Sequence, residues 1–254
     1  MHVYQLAGPW QALASAEKPS LQAWKRAIQV QPGPWQAYPE LRDARTVWYR
    51  AILAHEFLKA PGTTSAVLTI PSFYATVELF WDGKRLTGSD IPYLPLTVDV
   101  SALLDGGTSH ELLLKVGASF DGDSDFDEML HGKQDWYSPA AGILGPITVT
   151  LRQITAPAIH WQIDAAGGTL RTADLQQFDG EVTGWLYTPD GGIEPAAFLE
   201  SRAGIVVQMP QRWSLESPRL YTLNLRLRQG SAEEYISYQW GFREIRTEQG
   251  YILL

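Results

Sequence analysis

Ile147-Thr148-Val149-Thr150-Leu151-Arg152 alternates strictly between apolar and polar residues. A side-chain period of two belongs to a β-strand with one buried and one solvated face. The strand is read as running on to Ile154. Working back from it, Glu111–Val116, Leu96–Val100, Ala75–Trp81, Ala66–Ile70 and Val47–Phe57 are apolar-rich runs of strand length. Between them lie Pro61-Gly62, Asp82-Gly83 and Asp105-Gly106-Gly107. Asp-Gly marks a tight hairpin turn, because Gly tolerates the positive φ required there. Working forward, Thr155-Ala156-Pro157 reads as a linker. Beyond it the strands come closer together, at Ala158–Ile163, Glu181–Tyr187, Gly204–Met209, Tyr221–Leu227 and Glu234–Phe242.

The pattern predicts an all-β chain. Residues 1–154 suit a jelly-roll β-sandwich, and residues 155–254 suit an immunoglobulin-like β-sandwich. The absence of long helical periodicity argues against an α/β nucleotide-binding fold. Two short helical pieces are expected. One covers Ser20–Val30, with Leu21, Trp24 and Ile28 on one face and Ser20 as N-cap. The other is a single turn from Ser101 through Leu104. The pentapeptide Gly-Pro-Trp-Gln-Ala occurs at Gly8–Ala12 and again at Gly33–Ala37. Nothing around it repeats, so it does not indicate a solenoid.

The chain has 254 residues, 45% hydrophobic and 19% charged, which places it among globular proteins. Its net charge of −8, without a basic cluster, disfavours nucleic acid and anionic membrane as partners. There is no Cys, so disulfide and thiolate chemistry are excluded. No apolar run reaches the ~18 residues of a transmembrane helix. The N-terminus lacks a basic and an apolar region like those of a signal peptide, so a cytoplasmic location is expected. The ten Trp are either core pieces or sugar-stacking platforms.

Motifs for chemistry are sparse. A phosphate-binding Gly loop, a Gly-x-Ser-x-Gly elbow and a His-Glu-x-x-His zinc site are all missing. The five His are scattered. Two groups remain. Asp121, Asp123, Asp125, Asp127 and Glu128 form an acidic stretch. It is either a solvated loop or a wrap for Ca²⁺, although it lacks the central Gly and closing Glu of an EF-hand. Otherwise no cofactor is indicated. The polar loop His131–Pro146 includes Lys133, Gln134, Asp135, Trp136 and Tyr137. Sugars bind by stacking on aromatic rings while amide and charged groups bond their hydroxyls, and these five residues supply both. Packing of Trp136 into the sandwich edge is the structural alternative.

Several stretches resemble the front domains of glycoside hydrolase family 2. Trp48-Tyr49-Arg50 followed by Phe57 resembles a strand of its N-terminal domain. Ser72 to Lys84, Pro92-Tyr93-Leu94-Pro95 and Asp99-Val100 resemble the hairpin and segment that follow. His131-Gly132-Lys133-Gln134 with Gly142-Ile143 is similar to the family's Gly-Lys-Gln…Gly-Ile signature, although Leu144-Gly145-Pro146 departs from the usual continuation. Trp213-Ser214-Leu215-Glu216-Ser217-Pro218-Arg219-Leu220-Tyr221 and Gly241-Phe242-Arg243-Glu244-Ile245 resemble its immunoglobulin-like domain.

The resemblance implies retaining hydrolysis of terminal β-glycosides by the parent enzyme. It also implies that both catalytic Glu lie on a (β/α)₈ barrel beyond Leu254. The family's general acid sits in an Asn-Glu pair, whereas Asn224, the only Asn here, precedes Leu225. No catalytic residue is therefore assigned to this chain. Asp135 is the position that matches an acidic pocket residue found in some members. The expected partners are a carbohydrate, the barrel and a second copy of the chain. A free-standing carbohydrate-binding protein and a purely structural module are the rival readings.

Overall fold

In a computed structural model of the protein, Ile147–Arg152 is a β-strand. Ile147, Val149 and Leu151 are buried, while Thr148, Thr150 and Arg152 are half-buried. The structure describes residues 1–6, 8–54, 62–104, 109–118, 141–155, 160–163, 168–171, 173–198, 204–243 and 245–253. The chain divides into two units, Met1–Leu151 and Arg152–Leu254.

The strands of the first unit are β1 (His2–Leu6), β2 (Trp10–Ala14), β3 (Ile28–Val30), β4 (Gly33–Pro34), β5 (Thr46–Leu53), β6 (Ser65–Ile70) and β7 (Phe73–Tyr74). They continue with β8 (Thr76–Trp81), β9 (Lys84–Ser89), β10 (Leu96–Asp99), β11 (His110–Gly117), β12 (Gly142–Ile143) and β13 (Ile147–Arg152). They form a four-stranded sheet β1-β13-β6-β10, a six-stranded sheet β3-β2-β5-β11-β8-β9 and a small sheet β4-β12-β7. Pairing along β11 is antiparallel on both sides, with Leu114 opposite Tyr49 of β5 and Leu79 of β8. Asp82-Gly83 turns the β8–β9 hairpin with φ of 48° and 80°, as its sequence predicts.

The core fills the space between the two larger sheets. Leu68 and Ile70 on β6 and Val149 and Leu151 on β13 share a cluster with Val77 and Leu79 on β8 and Leu112 and Leu114 on β11. All eight side chains are at most 1% exposed. The six-stranded sheet is also covered on its other face. There Trp24, Trp48 and Leu113 form a second cluster. This explains the unbroken Leu112-Leu113-Leu114 run, since a strand buried on both faces has no polar alternation to display.

Trp24 reaches that face from a 3₁₀ turn at Ala23–Arg26, which corrects the longer helix expected over Ser20–Val30. The Ser20 hydroxyl does accept the Ala23 N–H, at 3.2 Å. A short isolated helix is marginal, however, and the ladder with β2 gives Ile28–Val30 better hydrogen bonds. Leu21, placed on the expected apolar face, is 80% exposed. The turn from Ser101 is present as a 3₁₀ turn, Ser101–Leu103.

In the second unit the strands are β14 (His160–Ile163), β15 (Gly168–Arg171), β16 (Glu181–Tyr187), β17 (Ile193–Pro195) and β18 (Gly204–Val207). They are followed by β19 (Tyr221–Gln229), β20 (Ala232–Trp240), β21 (Arg246–Glu248) and β22 (Tyr251–Leu253), and one helical turn lies at Ala173–Gln177. Sheets β14-β15-β18 and β17-β16-β19-β20 enclose one core. Ile205 and Val207 come from the first sheet, and Leu186, Leu223, Leu225, Leu227 and Ile236 from the second. The chain is therefore an all-β protein of packed antiparallel sheets. No described helix is long and apolar enough to cross a membrane.

Two predictions follow from the first unit's central sheet. Leu114→Ala leaves a cavity in its core and is expected to lower stability by about 2–5 kcal/mol in urea unfolding. On the opposite face, Glu78 accepts from Arg85 Nε at 2.7 Å and Lys115 Nζ at 3.0 Å. The Arg85 bond is the largest cause holding its carboxyl below the usual value; burial opposes it, and Lys115 adds to the lowering. A depressed folded pKa adds stability above the unfolded carboxylate pKa, and that stability fades as pH falls through the folded one. Glu78→Gln is therefore expected to be less stable than the parent at pH 7, with the gap closing on acidification when melting is followed across pH.

Candidate functional site

Lys133, Gln134, Asp135, Trp136 and Tyr137 lie outside the described residues, and so do Asp121, Asp123, Asp125, Asp127 and Glu128. The structure does describe the two points between which they run. At the first, the Ala118 N–H donates to Arg45 O at 2.7 Å, and the Ala75 N–H to Gly117 O at 2.8 Å. At the second, the Trp35 N–H donates to Ala141 O and the Leu144 N–H to Ser72 O, both at 2.9 Å. Ala118 and Ala141 are buried. Burial leaves room for little beyond a methyl group and forces every backbone polar group to find a partner.

Between Ala141 and Leu144, β12 is the middle strand of the small sheet. Gly142 lies opposite Pro34 on one side and Tyr74 on the other, and Ile143 opposite Gly33 and Phe73. Gly142 has φ +133°, and a Cβ there would lie 2.5 Å from Gly33 O. Only Gly fits such a position without moving the neighbouring strand.

Three tyrosines gather at this strand. The Tyr74 and Tyr93 rings lie 5.4 Å apart, tilted by 33°. The Tyr93 N–H donates to Phe73 O at 3.0 Å, and Tyr93 is 39% exposed. A Cβ built on Gly142 would sit 3.3 Å from the Tyr49 hydroxyl. Burial, then the neighbouring Tyr38, pushes the Tyr49 phenol well above its ordinary pKa. Burial, then Tyr93, also raises the Tyr74 phenol. Both phenols therefore stay neutral at pH 7 and serve as hydrogen-bond formers, not bases. Among the described residues, the Tyr49 hydroxyl and the Trp35 indole N–H are buried without a hydrogen-bond partner. Tyr49, Tyr74 and Trp35 are at most 3% exposed, so of these aromatic rings only Tyr93 is presented to a ligand. Among the described residues, no group of three or more His, Cys, Asp or Glu could hold a metal ion.

Tyr49, Tyr74 and Tyr93 were not among the residues picked out by loop chemistry, because they lie on or beside strands. Each nonetheless falls within a stretch that carries the family resemblance. The Trp48-Tyr49-Arg50, Ser72–Lys84, Pro92–Pro95 and Gly142-Ile143 segments, separated in sequence, meet around β12. The repeated pentapeptide has a structural use as well: both Trp10 and Trp35 are 1% exposed.

In the second unit two further motif stretches meet. The Trp213 N–H donates to Phe242 O at 2.9 Å. Gly241 lies against the Trp213 side chain, and the Arg243 guanidinium sits 5.1 Å from its ring centroid. Tyr221 accepts the Gln211 N–H through its hydroxyl, stacks on Trp240 and meets the Phe242 ring edge-on. Residues 169–243 match the family model Glycosyl hydrolases family 2.

The second unit resembles a family 2 glycosyl hydrolase domain over those residues. Solved structures extend the likeness in fold to nearly the whole chain. A β-D-glucuronidase of Dictyoglomus thermophilum superposes on 99% of it, with a TM-score of 0.61 and 16% identity. A β-glucuronidase of Lactobacillus rhamnosus also covers 99%, with a TM-score of 0.63 and 16% identity. A β-glycosidase of Bacteroides vulgatus covers 97%, with a TM-score of 0.64 and 17% identity. This chain spans 46%, 46% and 34% of those three proteins, respectively. No curated protein matches it by sequence.

Gly142→Ala is expected to destabilise the first unit by about 2 kcal/mol or more, through positive-φ strain and the clash with Gly33 O. Thermal unfolding of the variant beside the parent checks this.

Proposed function

We propose that this chain is the non-catalytic front of a family 2 glycoside hydrolase. In this reading its first unit shapes the rim of a carbohydrate pocket, and its two units dock a catalytic (β/α)₈ barrel. The observation that carries the reading is the pairing of a family match at residues 169–243 with a superposition that takes in almost all of this chain but under half of each glycosidase. The parent reaction is retaining hydrolysis of a terminal β-glycoside, which needs two carboxyl groups facing each other across the scissile bond. The reading assigns both of them to the barrel and none to these residues.

Lys133, Gln134, Asp135, Trp136 and Tyr137 are proposed as the rim's sugar contacts. The segment that bears them starts and ends at points fixed by β11 and β12, beside the neutral phenols of Tyr49 and Tyr74. A rim alone supplies only part of a pocket, so its affinity for sugar is expected to be weak until the barrel completes it.

The purified chain is expected to release no nitrophenol from nitrophenyl β-glucuronide or β-galactoside. Hydrolysis that follows the protein through successive purification steps would overturn the reading.

A further inference from the structure

The outward face of sheet β17-β16-β19-β20 holds a group of residues that the core does not need. Leu186, Leu223, Leu225 and Ile236 turn inward, so their strand neighbours turn outward. On β16 these are Trp185 and Tyr187, each 38% exposed. They stand two residues apart, about 6.8 Å along the strand. Strand register gives each ring a row of uncharged hydrogen-bonding groups. Trp185 is level with Asn224 and Ser237, and Tyr187 with Thr222 and Gln239.

We propose that this face is a second carbohydrate site, one that binds an uncharged oligosaccharide along Trp185 and Tyr187. Sugar rings present flat C–H faces to aromatic rings and hydroxyls to amides, which is the chemistry these two rows offer. The absence of formal charge from these two rows fits an uncharged occupant. The charges on the face gather at its other end and pair with each other: Arg226 with Glu233 at 2.7 Å, and Arg228 with Glu181 at 3.3 Å and Glu233 at 3.4 Å. The aromatic rows carry no charge, in a chain whose net charge is −8. An acidic or basic partner finds no counter-charge there, whereas a neutral polyol needs none. The site lies in the second unit and does not depend on the rim proposed at residues 133–137.

The test is titration of the full chain with cello-, xylo- and galacto-oligosaccharides, followed by tryptophan fluorescence and calorimetry. At least one series is expected to bind, with Trp185→Ala weakening it about tenfold or more. Gln239→Ala, an exposed change that leaves the rings in place, is expected to weaken it several-fold; it keeps the test valid if Trp185→Ala fails to fold by circular dichroism. No response to any series overturns the proposal, as does binding lost in Trp136→Ala but kept in Trp185→Ala. Self-association abolished by Trp185→Ala, with no sugar response, overturns it in favour of a second copy on this face.

Discussion

Burial of β11 on both faces is the constraint on which the first unit depends. One face of the strand supplies Leu112 and Leu114 to the space between the sheets, and the other supplies Leu113 to Trp24 and Trp48. A strand of that kind has to sit inside its sheet, with neighbours on both edges, since an exposed apolar edge invites pairing with other chains. β5 and β8 provide those neighbours. The order of the six-stranded sheet, the tryptophan-bearing turn over its outer face and the facing four-stranded sheet all serve to keep β11 out of water.

Much of this was legible in the sequence because a half-buried strand displays its own geometry. Ile147, Val149 and Leu151 alternate with polar residues, and Asp82-Gly83 names its turn. Legibility failed where tertiary pairing overrode local pattern. Ile28 fits a helical face with Trp24, yet β2 takes it into a sheet. The short strands β4, β7 and β12 have no period to detect, since two residues cannot alternate visibly. Composition left the tryptophans open between core and platform. Trp10, Trp24, Trp35, Trp48, Trp81 and Trp240 are core, whereas Trp185 is not.

The candidate site was legible in a different way. Loop chemistry drew attention to residues 133–137, which lie outside the described residues. Family-like stretches drew attention to strand residues whose purpose was invisible in one dimension. Only folding shows that Tyr49 and Tyr74 meet at Gly142, with Tyr93 against Tyr74. No periodicity or charge pattern links those four positions, because the contacts among them are long-range.

The stitching at Ala118 and Ala141 has a consequence for how such a chain diversifies. Ala118 is bonded to Arg45, next to β5, and Ala141 to Trp35, just after β4. Lengthening or replacing a segment between fixed ends costs little chain entropy, about 0.6 kcal/mol for each doubling in length. Ala118 and Ala141 thus act as two fixed terminals of a socket, and chain entropy sets little penalty on the length of what is plugged in between them.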